Sequence, residues 1–300
     1  MSKKTLIIVL GPTAVGKTKF AIELANHYNT EIISCDSRQF YRELNIGVAR
    51  PSKDELQAAK HHLIGHISVE NNYNVSKFEI DALDICNDIF VKSDYAVMVG
   101  GSGMYIDTIC NGIAELPDVE PSLRNELKQK FETEGLEGIR NMLKMLDPDY
   151  YEIVDLANPA RILRALEVVL TTGKPYSTLR VHQKKERPFE IIKIGLSMER
   201  EVLYRRIDER VDIMLKDGLL AEAEAMKPYK ENTALKTVGY TELFKYFDEE
   251  WDLSLAVEKI KTNTRRYAKR QFTWFNRYQD IQWFTPFQLT EVINYIKEQE

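Results

Sequence analysis

Eight consecutive residues, Gly11, Pro12, Thr13, Ala14, Val15, Gly16, Lys17 and Thr18, carry the most explicit chemistry in this chain. Their spacing, G-x-x-x-x-G-K-T, is that of a loop whose backbone amides wrap an anion, helped by the positive end of a following helix. Lys17 adds a point charge, and the Thr18 hydroxyl suits Mg²⁺. Such loops ordinarily serve ATP or GTP hydrolysis or phosphoryl transfer, which also needs a strand-end carboxylate to hold the metal. The best strand for that role, Tyr95-Ala-Val-Met-Val-Gly-Gly101, ends in glycines and carries no acid. The open question is whether phosphate is the group transferred or the group left behind.

A second candidate is Asp36-Ser37, just past the apolar run Glu31–Ser34. A carboxylate there could be a general base, a metal ligand or only a helix N-cap, and the residues leave these readings open. The segment RRIDERVDIML, Arg205 to Leu215, resembles arginine-rich helices that close on phosphates, though i,i+4 surface pairing explains it equally. VGGSGMY, Val99 to Tyr105, is a glycine turn with one hydroxyl and is weak alone. Between Ala160 and Arg187 stand Arg161, Arg164, Lys174, Arg180, Lys184, Lys185 and Arg187 against only Glu167 and Glu186. Between Lys259 and Gln279 stand Lys259, Lys261, Arg265, Arg266, Lys269, Arg270 and Arg277 with no Glu and, until Asp280, no Asp, interleaved with aromatic residues. Two such stretches in a chain of net charge −5 favour contact with an RNA backbone over a solvated face. His61, His62 and His66 lack carboxylate or cysteine partners at metal spacing, so packing or surface roles suit them.

These residues need a scaffold. Thr5–Leu10 reads as a buried strand, followed by the loop and an amphipathic helix over 18–28, the context the motif requires. Further strands are expected at Glu31–Ser34, Tyr95–Val99 and Glu190–Leu196, with a helix over 77–92. Strands alternating with helices predict an α/β fold with a mostly parallel sheet and ligands at the C-terminal strand ends. Between Leu116-Pro117 and Arg187-Pro188 the pattern turns helical (123–131, 138–145, 161–170). The expected organisation is a core over 1–116 and 188–300, interrupted by a helical insertion over 117–187. Helices follow over 202–215 and 255–275. The chain has 300 residues, 44% hydrophobic and 29% charged, as globular proteins do. Three scattered cysteines, Cys35, Cys86 and Cys110, argue against a disulfide framework. The N-terminus fits no signal peptide, and no apolar run approaches the ~18 residues of a membrane span. A cytoplasmic protein is expected.

Taken together, GPTAVGKT, DSRQFY…NIGVARP, KHHLI, VGGSGMY, NPARILRALEV, RIDERVDIML, LKTVGY and TRRYAKRQFTWF resemble the bacterial tRNA dimethylallyltransferase (tRNA isopentenyltransferase) family, in the family's order and over nearly the whole chain. The resemblance implies a P-loop NTPase-like core and transfer of a dimethylallyl group from dimethylallyl diphosphate to the exocyclic amine of the adenosine 3′ to the anticodon. Pyrophosphate leaves, which accounts for the missing strand-end acid. It implies Mg²⁺ at Thr18, Asp36 as the base, and Arg210, with Arg206 as a weaker candidate, on the diphosphate. It also implies tRNA contacts from Asp36, Ser37, Arg38 and Gln39, from Ser102 and Arg124, and from Ala160, Arg161, Ile162, Leu163 and Arg164. A monomer is expected. The chain departs from the family where DSMQVY is DSRQFY, IGTAKP is IGVARP, VGGTGLY is VGGSGMY and QRLxR is ARILR. Two rivals remain at this stage: a P-loop small-molecule kinase, which must consume ATP, and a non-catalytic RNA-binding P-loop module, for which Lys17 and Asp36 are dispensable.

Overall fold

The computed structural model describes residues 3–114, 116–180 and 185–299. The chain divides into two compact units, Met1–Cys110 with Glu186–Glu300, and Asn111–Lys185.

The first unit is built on a six-stranded sheet that is parallel throughout. Its strands are β1 (Thr5–Leu10), β2 (Ile32–Ser34), β3 (His61–His62), β4 (Tyr95–Gly100), β5 (Glu190–Leu196) and β6 (Ile281–Phe284). Their spatial order is β3-β2-β4-β1-β5-β6. The unbroken apolar run of β1 follows from burial on both faces. Ile7 and Val9 enter one core with Phe20, Leu24, Ile194, Leu203 and Ile207, while Leu6, Ile8 and Leu10 enter the other with Phe40, Phe78, Met98 and Phe275. The sequence reading locates β1 and β5 at their observed limits and misses β3 and β6. Those two are edge strands of two and four residues, too short to show a period.

Register fixes the functional edge. Leu10 stands beside Gly100, and Val99 beside Ser34. The exits of β1, β4 and β2 therefore emerge side by side, where the strand order reverses and parallel sheets bind ligands. The helix Leu253–Phe275 runs past this edge. Its Ala268 belongs to one sheet core and Phe275 to the other, while Ala256 and Ile260 join a third apolar cluster with Tyr41, Leu44, Leu235, Tyr240 and Leu243.

The second unit is helical among its described residues: Pro121–Leu146, Pro148–Ile153, Pro159–Thr172 and Tyr176–Leu179. Proline at the first position of three of these helices leaves out an amide that would be unsatisfied there anyway. The two expected helices 123–131 and 138–145 are one run broken at Gly135, which has φ 68°. The core is Leu127, Ile139, Leu143, Tyr150, Ile162, Ala165 and Leu166. Buried Asp147 fastens it by accepting from the Tyr150 and Ser177 amides (3.1 and 2.8 Å) and the Ser177 hydroxyl (2.7 Å).

No helix among the described residues is long and apolar enough to cross a membrane. The three cysteines are buried and free of disulfides.

Candidate active site

The loop between β1 and the helix Lys17–His27 has the shape its glycines permit. Gly16 caps the helix at φ 109°, a conformation that L side chains rarely adopt. Ala14 also lies in the left-handed region, at φ 66°, without being glycine. Lys17 Nζ donates to the Pro12 carbonyl at 2.7 Å. Lys17 borders a cavity, yet its ammonium is densely surrounded by protein. Burial, more than nearby Arg210, lowers its pKa to about 8, and Asp36 opposes the shift.

That cavity, about 320 Å³, is lined by the loop residues Thr13, Ala14, Gly16, Lys17 and Thr18, by Arg50, Arg206 and Arg210, and by Asp36, Gln39, Val48 and Glu55, among others. Its character is cationic, as a site for a phosphate-bearing anion requires. Arg206 and Arg210 come from the helix Arg200–Lys216, one turn apart. Burial first and Arg206 second lower the Arg210 pKa from its ordinary value. This helix is a tied-down wall rather than a free lid: Leu203, Ile207 and Val211 are buried beneath it. Asp208 receives both hydrogen bonds of Arg265 Nη1 at 2.7 Å, and Asp212 pairs with Lys261 at 2.7 Å.

A second cavity, about 490 Å³, opens beside the first and is lined by Thr13, Asp36, Ser37, Arg38, Gly47, Val48, Thr241, Glu242, Asn263, Tyr267 and Arg270, among others. Thr13, Asp36 and Val48 line both cavities. Asp36 is not a helix N-cap, because turns rather than a helix follow it. Its Oδ1 accepts from the Arg38 amide at 3.0 Å, which orients the carboxylate. Beside it, the Ser37 amide donates to Ser102 Oγ at 3.1 Å, and the Ser102 hydroxyl donates to Ser37 Oγ at 3.2 Å. This pair ties the loop after β2 to the glycine turn after β4. Burial raises the Tyr267 phenol to about 12, with Asp36 the next cause, so it stays a neutral donor. Burial pushes the Cys35 thiol up as well, which keeps it inert.

The remaining expected residues divide. Gln39 Nε2 donates to the Val48 and Ala49 carbonyls (3.2 and 3.0 Å), and Arg38 donates to the Thr233, Ala234 and Lys236 carbonyls at 2.7–3.4 Å. Both side chains shape the site's walls. Of the second-unit positions, Arg124 and Arg164 each donate to one buried carboxylate, Glu167, at 3.3 and 3.2 Å. Ala160 and Arg161 are exposed. Ile162 is a correction: it is 0% exposed in the core of that unit, so its side chain cannot touch RNA. Leu163 packs against the same core. The C-terminal basic stretch is corrected in part. Lys261 and Arg265 are spent on the wall helix, and Arg277 lies over the Trp274 ring at 4.0 Å. Lys259, Arg266, Lys269 and Arg270 stay exposed. Lys184 lies outside the described residues. His62 pairs with Glu31 at 2.6 Å, a packing role.

Sequence reasoning missed three supports. Glu222 accepts from the Asn45, Ile46 and Gly47 amides (3.1, 2.8 and 2.9 Å) and from the Tyr240 hydroxyl (2.6 Å), which holds the segment carrying Val48. Buried Glu242 accepts from the Gly239 amide and from Asn263 (2.8 and 2.7 Å). Gln271 accepts from the Thr13 amide at 2.8 Å and donates to the Gly101 carbonyl at 2.9 Å. Only its setting in a helix of cations and aromatics could have signalled it.

No cluster of three or more His, Cys, Asp or Glu among the described residues forms a metal cage. The donor set nonetheless suits Mg²⁺, which is held through few protein oxygens and substrate phosphates: Thr18, Asp36 and Glu55 share the cationic cavity.

Residues 39–278 match the family model described as IPP transferase. The chain is 48% identical over 295 residues to tRNA dimethylallyltransferase 1 of Bacteroides thetaiotaomicron, covering 98% of this chain and 96% of that one. It is 50% identical over 279 residues to the tRNA dimethylallyltransferase of Christiangramia forsetii, covering 93% and 92%. Among solved structures, the tRNA isopentenylpyrophosphate transferase of Bacillus halodurans superposes with a TM-score of 0.72 at 32% identity, covering 99% of this chain and 97% of that one. A eukaryotic dimethylallyltransferase studied acting on tRNA superposes with a TM-score of 0.81 at 27% identity, covering 99% and 77%.

Proposed function

Because the chain belongs to the IPP transferase family, we propose that it transfers a dimethylallyl group from dimethylallyl diphosphate to the exocyclic amine of the adenosine 3′ to the anticodon of tRNA. The observation that carries this reading is Asp36 in the wall common to two cavities, one cationic and one polar with an aromatic wall. Against phosphoryl transfer stands the β4 exit, where glycines and Ser102 follow the strand and no acid is placed to hold a nucleotide's metal.

The donor's diphosphate sits in the smaller cavity against Lys17, Arg206 and Arg210. The allylic carbon then lies at the junction of Thr13, Asp36 and Val48. The adenine amine arrives through the larger cavity, its base out of the stack at a cost of roughly a few kcal/mol. The amine nitrogen bonds to the allylic carbon, and the carbon–oxygen bond breaks with its electron pair leaving on diphosphate. Asp36 takes the amine proton. Negative charge grows on the leaving group where Lys17 and Arg210 are already fixed, which favours the transition state over the ground state. Thr18 would hold Mg²⁺, which would neutralise part of the same developing charge.

The test is incubation of the protein with labelled dimethylallyl diphosphate and an anticodon stem-loop. One label should enter RNA for each pyrophosphate released, without ATP. ATP turnover with unlabelled RNA would overturn the reading in favour of a kinase.

We propose that the chain works as a monomer, and a tRNA substrate supports work in the cytoplasm. RNA phosphates are met by Arg161, Arg164 and Arg124. Each phosphate contact releases counterions and steepens the salt dependence of binding. Arg161→Ala should therefore weaken every tRNA alike and lower the slope of log affinity against log salt by about 1. Titrating an anticodon stem-loop at several salt concentrations checks this. An unchanged slope would return Arg161 to ordinary solvated surface.

A further inference from the structure

We infer that Gln271 is a positioning residue that couples the two cavities, so that RNA in one tightens diphosphate binding in the other. This rests on the reading of the site given above. The amide stands 258 positions from Thr13 in sequence, yet it is buried and bonded to the phosphate loop. Its other end grips Gly101, in the turn whose next residue, Ser102, holds the Ser37 amide beside Asp36. One side chain thus closes a ring through the loop after β1, the turn after β4 and the loop after β2.

The chemistry dictates the residue. The Thr13 amide can only donate and the Gly101 carbonyl can only accept. A carboxylate would set oxygen against the Gly101 oxygen, and lysine or arginine would set donors against the Thr13 amide. Glutamine offers one acceptor and one donor at the required span. Gly101 is glycine for the same reason, since a Cβ there would lie 2.1 Å from the Gln271 amide nitrogen.

The coupling follows from where Gln271 sits. The preceding two turns of the same helix present Asn263, Thr264, Tyr267 and Arg270 to the larger cavity. One turn further, Trp274 donates to Asp107 at 3.1 Å and packs on Gly103. A nucleotide seated against Tyr267 and Arg270 bears on the rigid element that fixes Thr13, and through it Ala14 at its left-handed φ. The loop already holds that conformation without RNA, so what RNA binding removes is its remaining motion before the donor arrives, and by reciprocity the donor tightens RNA equally.

The experiment is calorimetric titration of the full chain with magnesium pyrophosphate and with an anticodon stem-loop, each alone and each with the other saturating. The unaltered protein should bind pyrophosphate about 5-fold or more tightly once RNA is bound, the lower end of common coupling factors. In Gln271→Met that factor should fall to about 1, with RNA affinity alone within about twofold, because the RNA-facing residues are untouched. A purely structural role would lower the melting temperature and leave the factor intact. Gly101→Ala provides a second route, displacing the amide without altering the helix, and should lose the factor too. Equal factors in the unaltered protein and in either folded variant, or no coupling in the unaltered protein, would overturn the inference. Failure of the stem-loop to bind or accept label at all would instead reject the function on which it rests.

Discussion

Asp36→Asn should lower turnover by about 10²-fold or more while tRNA affinity changes by less than about threefold. Asparagine keeps the size of aspartate and can still accept the Arg38 amide, so the turn survives. It cannot accept the amine proton, and that loss is felt only as the nitrogen–carbon bond forms. The deficit must therefore appear in kcat and in kcat/KM alike, not in the dissociation constant of the stem-loop. Single-turnover rates with saturating RNA and donor, measured beside RNA binding, separate the two. Parallel losses of binding and rate would make Asp36 a turn residue and remove the base from the mechanism. The kinase and RNA-module readings also diverge here. The first keeps a large effect but on ATP consumption, and the second expects none.

What was legible in the sequence was local. The phosphate loop is read from glycine spacing because each glycine answers to a nearby backbone requirement, as Gly16 at φ 109° shows. β1 and β5 are read from unbroken apolar runs, since burial on both faces leaves no polar position. Asp36 is readable as a residue past a strand end, though its role stays divided until the two cavities are seen to share it. The missing parts are long-range. Gln271 bonds to residues 258 and 170 positions away, and Glu222 to amides 175–177 positions away. No period or spacing records such a bond. The basic stretches erred for the same reason. Charge composition cannot separate Lys261 and Arg265, which face Asp212 and Asp208, from Arg270, which lines the larger cavity. Family resemblance assigned the run Ala160–Arg164 as one contact, whereas helical periodicity turns Ile162 into the core.

Lys17→Met should lower transfer by about 10²–10³-fold, the usual loss when one fixed donor to a developing negative charge is removed. It should also make the protein more stable, which no loss through misfolding would do. Lys17 titrates at about 8 because burial disfavours its charge. Its unfolded value is that of a free lysine, near ~10.4. Below pH 8 both states carry the proton, and the folded protein bears the full cost of an enclosed ammonium. Between about 8 and 10.4 the unfolded chain binds a proton that the folded chain has released, so stability rises with pH across that window. Methionine has no proton to hold. At pH 7 the variant should gain about 1–3 kcal/mol, roughly 2–4 °C in melting temperature for each kcal/mol, and the advantage should vanish above pH ~10.5. Activity shows the opposite sign. In the unaltered enzyme, kcat/KM for the donor should fall as pH rises through about 8 and the free ammonium is lost. Lys17→Arg, permanently charged, should carry a lower plateau that stays level past pH 9. Thermal melts at pH 7 and 10.5, set beside donor kcat/KM from pH 6.5 to 9.5, test both halves. A Lys17→Met variant that melts lower at pH 7, or transfers within tenfold of the unaltered enzyme, would show that the ammonium neither strains the fold nor grips the leaving diphosphate.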